Sequence, residues 1–268
     1  MKAVYWVIWG LVLSAAVVLT GCGKANDKVK APPVASPADD MVKQAETLDG
    51  EGKKLEAKAV YQQIVAEHAD YKNIETVQQS LYKINMEVLF SNTPTPQTVI
   101  HEVKVGDSLG KISKQYNVTM ELIKTCNGMK DNTVRVGQKL RIWTGKFSIY
   151  VSKSQNYLML KSDEDVLKVY VVSTGAKGST PAGTFKIVNK IENPVWFKAG
   201  AIIPPESPDN VLGSRWMGFD IQGYGIHGTV EPDKLGQQVT AGCIRMRNDE
   251  VEELYKIIPR GTEVTIVD

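Results

Sequence analysis

Cys243 stands in TAGCIRM, residues 240–246, between a glycine and an isoleucine–arginine pair. The chain holds only three cysteines, at 22, 126 and 243, and three histidines, at 68, 101 and 227. A thiol becomes a nucleophile when a nearby imidazole or backbone N–H groups favour its thiolate. His227 sits in GYGIHGT, residues 223–229, where Gly225 and Gly228 bracket an Ile-His pair as expected of a strand end opening into a cleft. Glycine tolerates unusual dihedrals and close approach. Gly242 serves the same end, since a bend there can aim the N–H groups of Gly242 and Cys243 at a developing oxyanion. Spacing alone only suggests a Cys–His pair, because the two residue types co-occur by chance in many domains.

The surroundings must position that pair. From Phe147 the pattern is β: Phe147, Ile149 and Val151 alternate, as do the stretches 157–160 and 166–172, with Ser, Asp and Asn turns between them. Helical periodicity returns only near Glu250. Asn248 reads as the helix cap, Val251, Leu254, Tyr255 and Ile258 as one apolar face, and Pro259 with Gly261 as the stop. Residues 264–267 form a last strand. The whole is a mostly-β domain of catalytic size.

Upstream lies a smaller unit. Residues 100–105 alternate like a strand, a turn follows with Asp107 or Ser108 as helix cap, Thr119 caps a second short helix, and 136–143 closes as a strand. This β-α-α-β stretch, VKVGDSLGKISKQYNVTMELIKTCNGMKDNTVRVGQKLRI, resembles a LysM module over its full length. The resemblance implies binding of N-acetylglucosamine-containing glycans such as peptidoglycan. Its groove would lie between the first turn (Gly106, Asp107, Ser108, Leu109) and the loop that begins at Asn127.

The N-terminal third differs again. After Lys2 an apolar run extends to Leu19, and the small residues LTGC close it, which reads as a secretory signal rather than a transmembrane anchor. Leu19 to Cys22 resembles the bacterial lipobox, which implies lipidation of Cys22 and anchorage to a membrane. A small, polar, proline-bearing stretch then reads as a tether. Two helical runs follow within 41–90, of which DGEGKKLEAKAVYQQIVAEH resembles one tetratricopeptide-type hairpin. The 32 basic and 30 acidic residues leave a net charge of +2, which makes no electrostatic case for nucleic acid. The expected order is thus signal peptide 1–21, lipid-anchored tether 22–38, TPR-like hairpin 39–92, LysM module 99–144 and catalytic domain 146–268.

Three blocks of that last domain, STGAKGSTPAGTFKI, GSRWMGFDIQGYGIHGT and TAGCIRMRNDEVEELY, resemble the YkuD-type L,D-transpeptidases in family order. The resemblance implies a cysteine that attacks the carbonyl before the terminal D-alanine of a peptidoglycan tetrapeptide stem. Cys243 would then be the nucleophile and His227 the general base, with the Gly228 carbonyl orienting the imidazole. Gly242, Thr240 and Arg245 would serve the oxyanion and the substrate, Arg245 holding the cysteine loop or a carboxylate. One departure is visible: Thr240-Ala241-Gly242-Cys243 lacks the histidine that the family often has before the glycine. A Cys126–Cys243 disulfide is the competing use of the thiol in an oxidising compartment. Too few histidines and cysteines cluster for a metal site, and no cofactor is expected. The acceptor implied is a neighbouring stem, an envelope-protein lysine or water, which would make the protein a carboxypeptidase or crosslink hydrolase. A glycan-binding scaffold with a degenerate catalytic domain is the reading from another class. Either way the location implied is the cell envelope, lipid-anchored and facing the periplasm or wall.

Overall fold

The structure, a computed structural model, describes residues 36–198 and 200–268. The signal segment, Cys22 and nearly all of the tether lie outside the described residues. The chain falls into two units, one running to Leu81 and one spanning Tyr82–Asp268. In the first, α1 (Pro37–Gly50) starts at a reciprocal cap: the Ser36 hydroxyl accepts from the Asp39 N–H, and the Asp39 carboxylate accepts from the Ser36 N–H. α2 (Lys54–Glu67) pairs with it across a turn at Gly52, whose φ of +78° suits glycine. In the DGEG stretch Asp49 and Gly50 close α1, and residues 51–53 are the turn that joins the two paired helices. α3 (Ile74–Phe90) follows and runs on into the second unit. Among the described residues no helix is long and apolar enough to cross a membrane.

The second unit opens with β1 (Thr98–Glu102), α4 (Leu109–Tyr116), α5 (Met120–Cys126) and β2 (Lys139–Trp143). β1 and β2 pair antiparallel from Thr98 opposite Trp143 to Glu102 opposite Lys139. Of the two candidate caps for α4, Ser108 does the work, accepting from the Lys111 N–H at 3.3 Å, while Thr119 caps α5. Then come β3 (Phe147–Ser152), β4 (Tyr157–Ser162), β5 (Asp165–Val171), β6 (Thr174–Gly175) and β7 (Gly183–Glu192). The hairpin β8 (Trp196–Lys198) and β9 (Ala201–Ile203) precedes β10 (Arg215–Phe219) and β11 (Gly225–His227). The chain ends with β12 (Gln238–Thr240), β13 (Ile244–Arg245), α6 (Asn248–Ile257) and β14 (Glu263–Val267).

Eight strands form one sheet in the order β13-β11-β10-β7-β14-β3-β4-β5. Most neighbours are antiparallel, but β11 and β13 are parallel, as are β14 and β3. A parallel neighbour requires a crossover. Between β11 and β13 the excursion 228–243 supplies it, with β12 pairing to β6 on the way. His227 thus ends one strand and Cys243 leads directly into the next, at one edge of the sheet.

The small β-α-α-β unit and the large sheet share one core. Leu109, Ile112, Leu122 and Leu140 of the first belong to the same buried cluster as Ile149, Leu160 and Leu254 of the second. Trp143 stacks on Phe147 at 6.2 Å and donates to the Ser162 hydroxyl, and the Thr119 hydroxyl donates to the Lys256 carbonyl. The end of α3 is clamped into the same unit. Asn85 donates to the Val166 and Leu167 carbonyls. Arg141, 2% exposed, donates to the carbonyls of Val88, Leu89 and Ser91. No carboxylate pairs with this guanidinium among the described residues; the carbonyls and negative dipole end of α3 take that place. Arg141→Ala removes the charged donor these carbonyls share, while Ser91 still donates to Val88 and Cys126 to Leu89, so it is expected to lower stability by about 1–3 kcal/mol in urea denaturation. Unchanged stability would show the clamp to be idle.

Candidate active site

The sheet edge gathers the candidate side chains. Register places Trp216 opposite His227, and His227 opposite Arg245. Cys243 lies in the bend just before β13, two residues ahead of Arg245. Trp216 and His227 stack at 6.0 Å and 18° between planes. His227 is 3% exposed and Cys243 is half-buried.

His227 Nδ1 lies 2.6 Å from the Gly228 carbonyl oxygen. A carbonyl only accepts, so Nδ1 carries the proton and Nε2 presents its lone pair. Burial pulls the imidazole pKa down to about 4; the Arg245 charge pulls the same way, and the Gly228 and Leu212 backbones oppose it. Burial pushes the Cys243 thiol up, partly offset by a backbone hydrogen bond and by Arg245. The resting pair at neutral pH is therefore a thiol and a neutral imidazole. The thiol donates to the Gly223 carbonyl at 3.5 Å and is not hydrogen-bonded to His227. Such bonds commonly tighten only once substrate is bound.

Position 228 must be glycine because a Cβ there would lie 2.1 Å from Asn248 Oδ1. Asn248 is not the helix cap that its place before an apolar run suggested. Arg247 occupies that position without a side-chain bond, and Asn248 starts α6. Its amide instead accepts from the Ser214 and Thr229 N–H groups and donates to the Thr229 carbonyl, tying α6 to the loop that follows His227.

The turn before Cys243 is held tightly. Gly242 has φ +138°, and a Cβ there would meet the Tyr224 ring at 2.6 Å and the Ser179 carbonyl at 3.1 Å. The Thr240 hydroxyl accepts from the Gly242 N–H and donates to the Cys243 carbonyl. The Gly242 carbonyl accepts from the Thr180 hydroxyl at 2.8 Å. The Cys243 N–H alone of this peptide pair has no acceptor among the described residues. Arg245 is 8% exposed, bridges through its backbone to Ser173, and donates from Nη1 to Glu231 at 3.0 Å, leaving Nε unpartnered.

Cys243, His227, Gly228, Gly242, Thr240 and Arg245 are thus brought together. Thr180, Ser173 and Glu231, which no spacing singled out for a role, join them, as does Asn248, expected only to cap a helix. Cys126 and Cys243 are both free thiols, so no disulfide links them. Cys126 is buried and donates to the Leu89 carbonyl. In the smaller unit, Gly106 and Ser108 are exposed and Leu109 is buried in the core. Asp107 accepts from the Lys104 N–H and faces His101 Nε2 at 3.2 Å. The Asn127 amide joins Ile123 and Arg141 backbones. No group of three or more His, Cys, Asp or Glu in metal-binding reach occurs among the described residues.

Residues 146–266 match the L,D-transpeptidase catalytic domain and residues 101–143 the LysM domain. The putative L,D-transpeptidase YqjB of Bacillus subtilis is 46% identical over 126 residues, 45% of this chain and 70% of that protein. The putative L,D-transpeptidase YkuD of the same organism is 32% identical over 173 residues, 62% of this chain and 97% of that protein. A solved catalytic domain of an E. faecium L,D-transpeptidase aligns at 23% identity and TM-score 0.39, covering 46% of this chain and 98% of that one, a likeness too slight to build on. Together the LysM and catalytic matches tie the molecule to peptidoglycan and to action at the cell wall. With relatives this similar matched over most of their length, the chain belongs to the L,D-transpeptidase family.

Proposed function

We propose that the chain is a lipid-anchored peptidoglycan L,D-transpeptidase with Cys243 as nucleophile and His227 as base. The observation that carries this is a half-buried thiol that leads into β13 at the sheet edge where the neighbouring strand ends in a neutral imidazole, its Nδ1 held by the Gly228 carbonyl. Cys243 Sγ attacks the carbonyl carbon that precedes D-alanine, and its proton passes to His227 Nε2. The C–N bond breaks, D-alanine leaves with that proton, and a thioester remains. An amine acceptor then attacks the thioester and regenerates the thiol.

The timing of the proton follows from the two acidities. The thiol lies above its ordinary value of 9.0 and the imidazolium near 4. Burial disfavours both the thiolate and the imidazolium, so proton transfer accompanies S–C bond formation rather than preceding it. Arg245, beside Glu231, offers a guanidinium edge to a substrate carboxylate. The turn at Gly106, Asp107, Ser108 and Leu109, with the loop at Asn127, is the proposed glycan contact. Cys22 is the proposed lipid attachment.

Purified protein given a disaccharide tetrapeptide should release D-alanine and carry the acyl group on Cys243 by mass spectrometry. An added amine should then yield a crosslinked product. Free tripeptide as the sole product would make water the acceptor and the enzyme a carboxypeptidase. Release of D-alanine without a cysteine adduct in rapid-quench samples would overturn the nucleophile.

A further inference from the structure

Four polar groups flank the peptide link between Gly242 and Cys243. Thr240 engages the Gly242 N–H and the Cys243 carbonyl, and Thr180 engages the Gly242 carbonyl. Among the described residues only the Cys243 N–H finds no acceptor.

Thr180 is 1% exposed, and its hydroxyl is used twice, accepting from the Gly175 N–H at 2.7 Å and donating to the Gly242 carbonyl at 2.8 Å. A hydroxyl can accept and donate at once, which no aliphatic side chain of that shape can. The Thr180 backbone is itself pinned. Its carbonyl accepts from Lys153 Nζ at 3.1 Å, and Lys153, 7% exposed, pairs with Asp268. Gly175 leaves no slack on the other side, since a Cβ there would lie 2.5 Å from the Thr180 nitrogen and 2.9 Å from the Gly242 Cα.

A trans peptide is planar, so its N–H points opposite its carbonyl. Holding the Gly242 carbonyl against Thr180 therefore aims the Cys243 N–H away from Thr180. Gly242 has little conformational preference of its own. An outside anchor is needed to select the plane of this peptide.

We propose that Thr180 is the positioning residue of the oxyanion site, fixing the peptide plane whose N–H receives the negative oxygen formed when Cys243 attacks. The proposal rests on Cys243 being the nucleophile. Thr180 touches no reacting atom; it acts through the Gly242–Cys243 peptide.

Two thiol reagents separate this role from a merely structural one. A carbapenem acylates through an oxyanion: the S–C bond forms at the β-lactam carbonyl, the ring C–N bond breaks, and the nitrogen takes the thiol proton. Iodoacetamide alkylates by displacing iodide, with the thiol proton lost to buffer and no oxyanion formed. Both rates are read on Cys243 by intact mass, for wild type, Thr180→Val and Thr180→Ser, with thermal melting alongside. Thr180→Val should slow acylation by about tenfold to a hundredfold and leave alkylation as it is. Thr180→Ser should restore acylation. Should Thr180→Val not fold, the ratio of the two rates is read on Thr180→Ala. An equal fall in both reactions, undiminished acylation in Thr180→Val, or no rescue by serine would each overturn the proposal. A wild-type protein that alkylates at Cys243 but is never acylated there would instead sink the nucleophile itself, and the proposal with it.

Discussion

Cys243→Ala is expected to abolish acyl transfer while leaving the fold in place. In covalent catalysis the nucleophile is the one group whose function no neighbour can assume, and its loss is expected to cut kcat by roughly a millionfold. The structural cost is small by comparison. The side chain is half-buried, its donation to the Gly223 carbonyl is long, and the turn is held by Thr240 and Thr180. A stability change below about 1 kcal/mol is expected for such a site. The check is D-alanine release from a tetrapeptide stem beside thermal denaturation of the same samples. Activity surviving in the folded variant would remove Cys243 from the chemistry. Activity lost together with the fold would mean that the cysteine holds the turn instead.

What the sequence disclosed, and what it hid, follows the distance over which each feature acts. Ser108 and Thr119 cap helices through N–H groups three residues on, so their roles were open to local reading. The thiol and imidazole each sit in a short glycine-flanked segment, and this too is local. Thr180 bonds to Gly242 across 62 residues and Arg141 to Leu89 across 52, and no periodicity encodes either contact. Asn248 misled for a related reason: an asparagine before an apolar run reads as a cap, but the loop after His227 competes for the same amide. The parallel pairing of β11 with β13 was equally hidden, because the crossover between them carries no helical signature. That pairing is what brings the histidine and the cysteine segment to one edge of the sheet.

Acid should silence the enzyme far below the pH at which a free imidazole would. With burial holding His227 near 4, the base stays unprotonated down to about pH 5, and acylation by a carbapenem should fall only as pH passes through about 4. His227→Gln removes the proposed base but keeps an amide able to meet the Gly228 carbonyl. It should lower the neutral-pH rate by roughly 10²–10⁴-fold. The same shift bears on stability, with a definite sign. The folded pKa lies below the ordinary 6.5 of the unfolded chain, so between those values the unfolded state binds the proton first. Above pH 6.5 the group leaves stability unaffected. From 6.5 down to 4 the folded state loses on the order of 3 kcal/mol on its account, and below 4 nothing further. Urea denaturation at pH 7 and pH 4.5 of wild type and His227→Gln isolates this contribution, because the carboxylates titrate alike in both proteins. The wild type should lose about 2–3 kcal/mol more than the variant over that interval. Equal losses, or an acid limb of acylation centred near 6.5, would show that the imidazole is solvated when the thiol attacks.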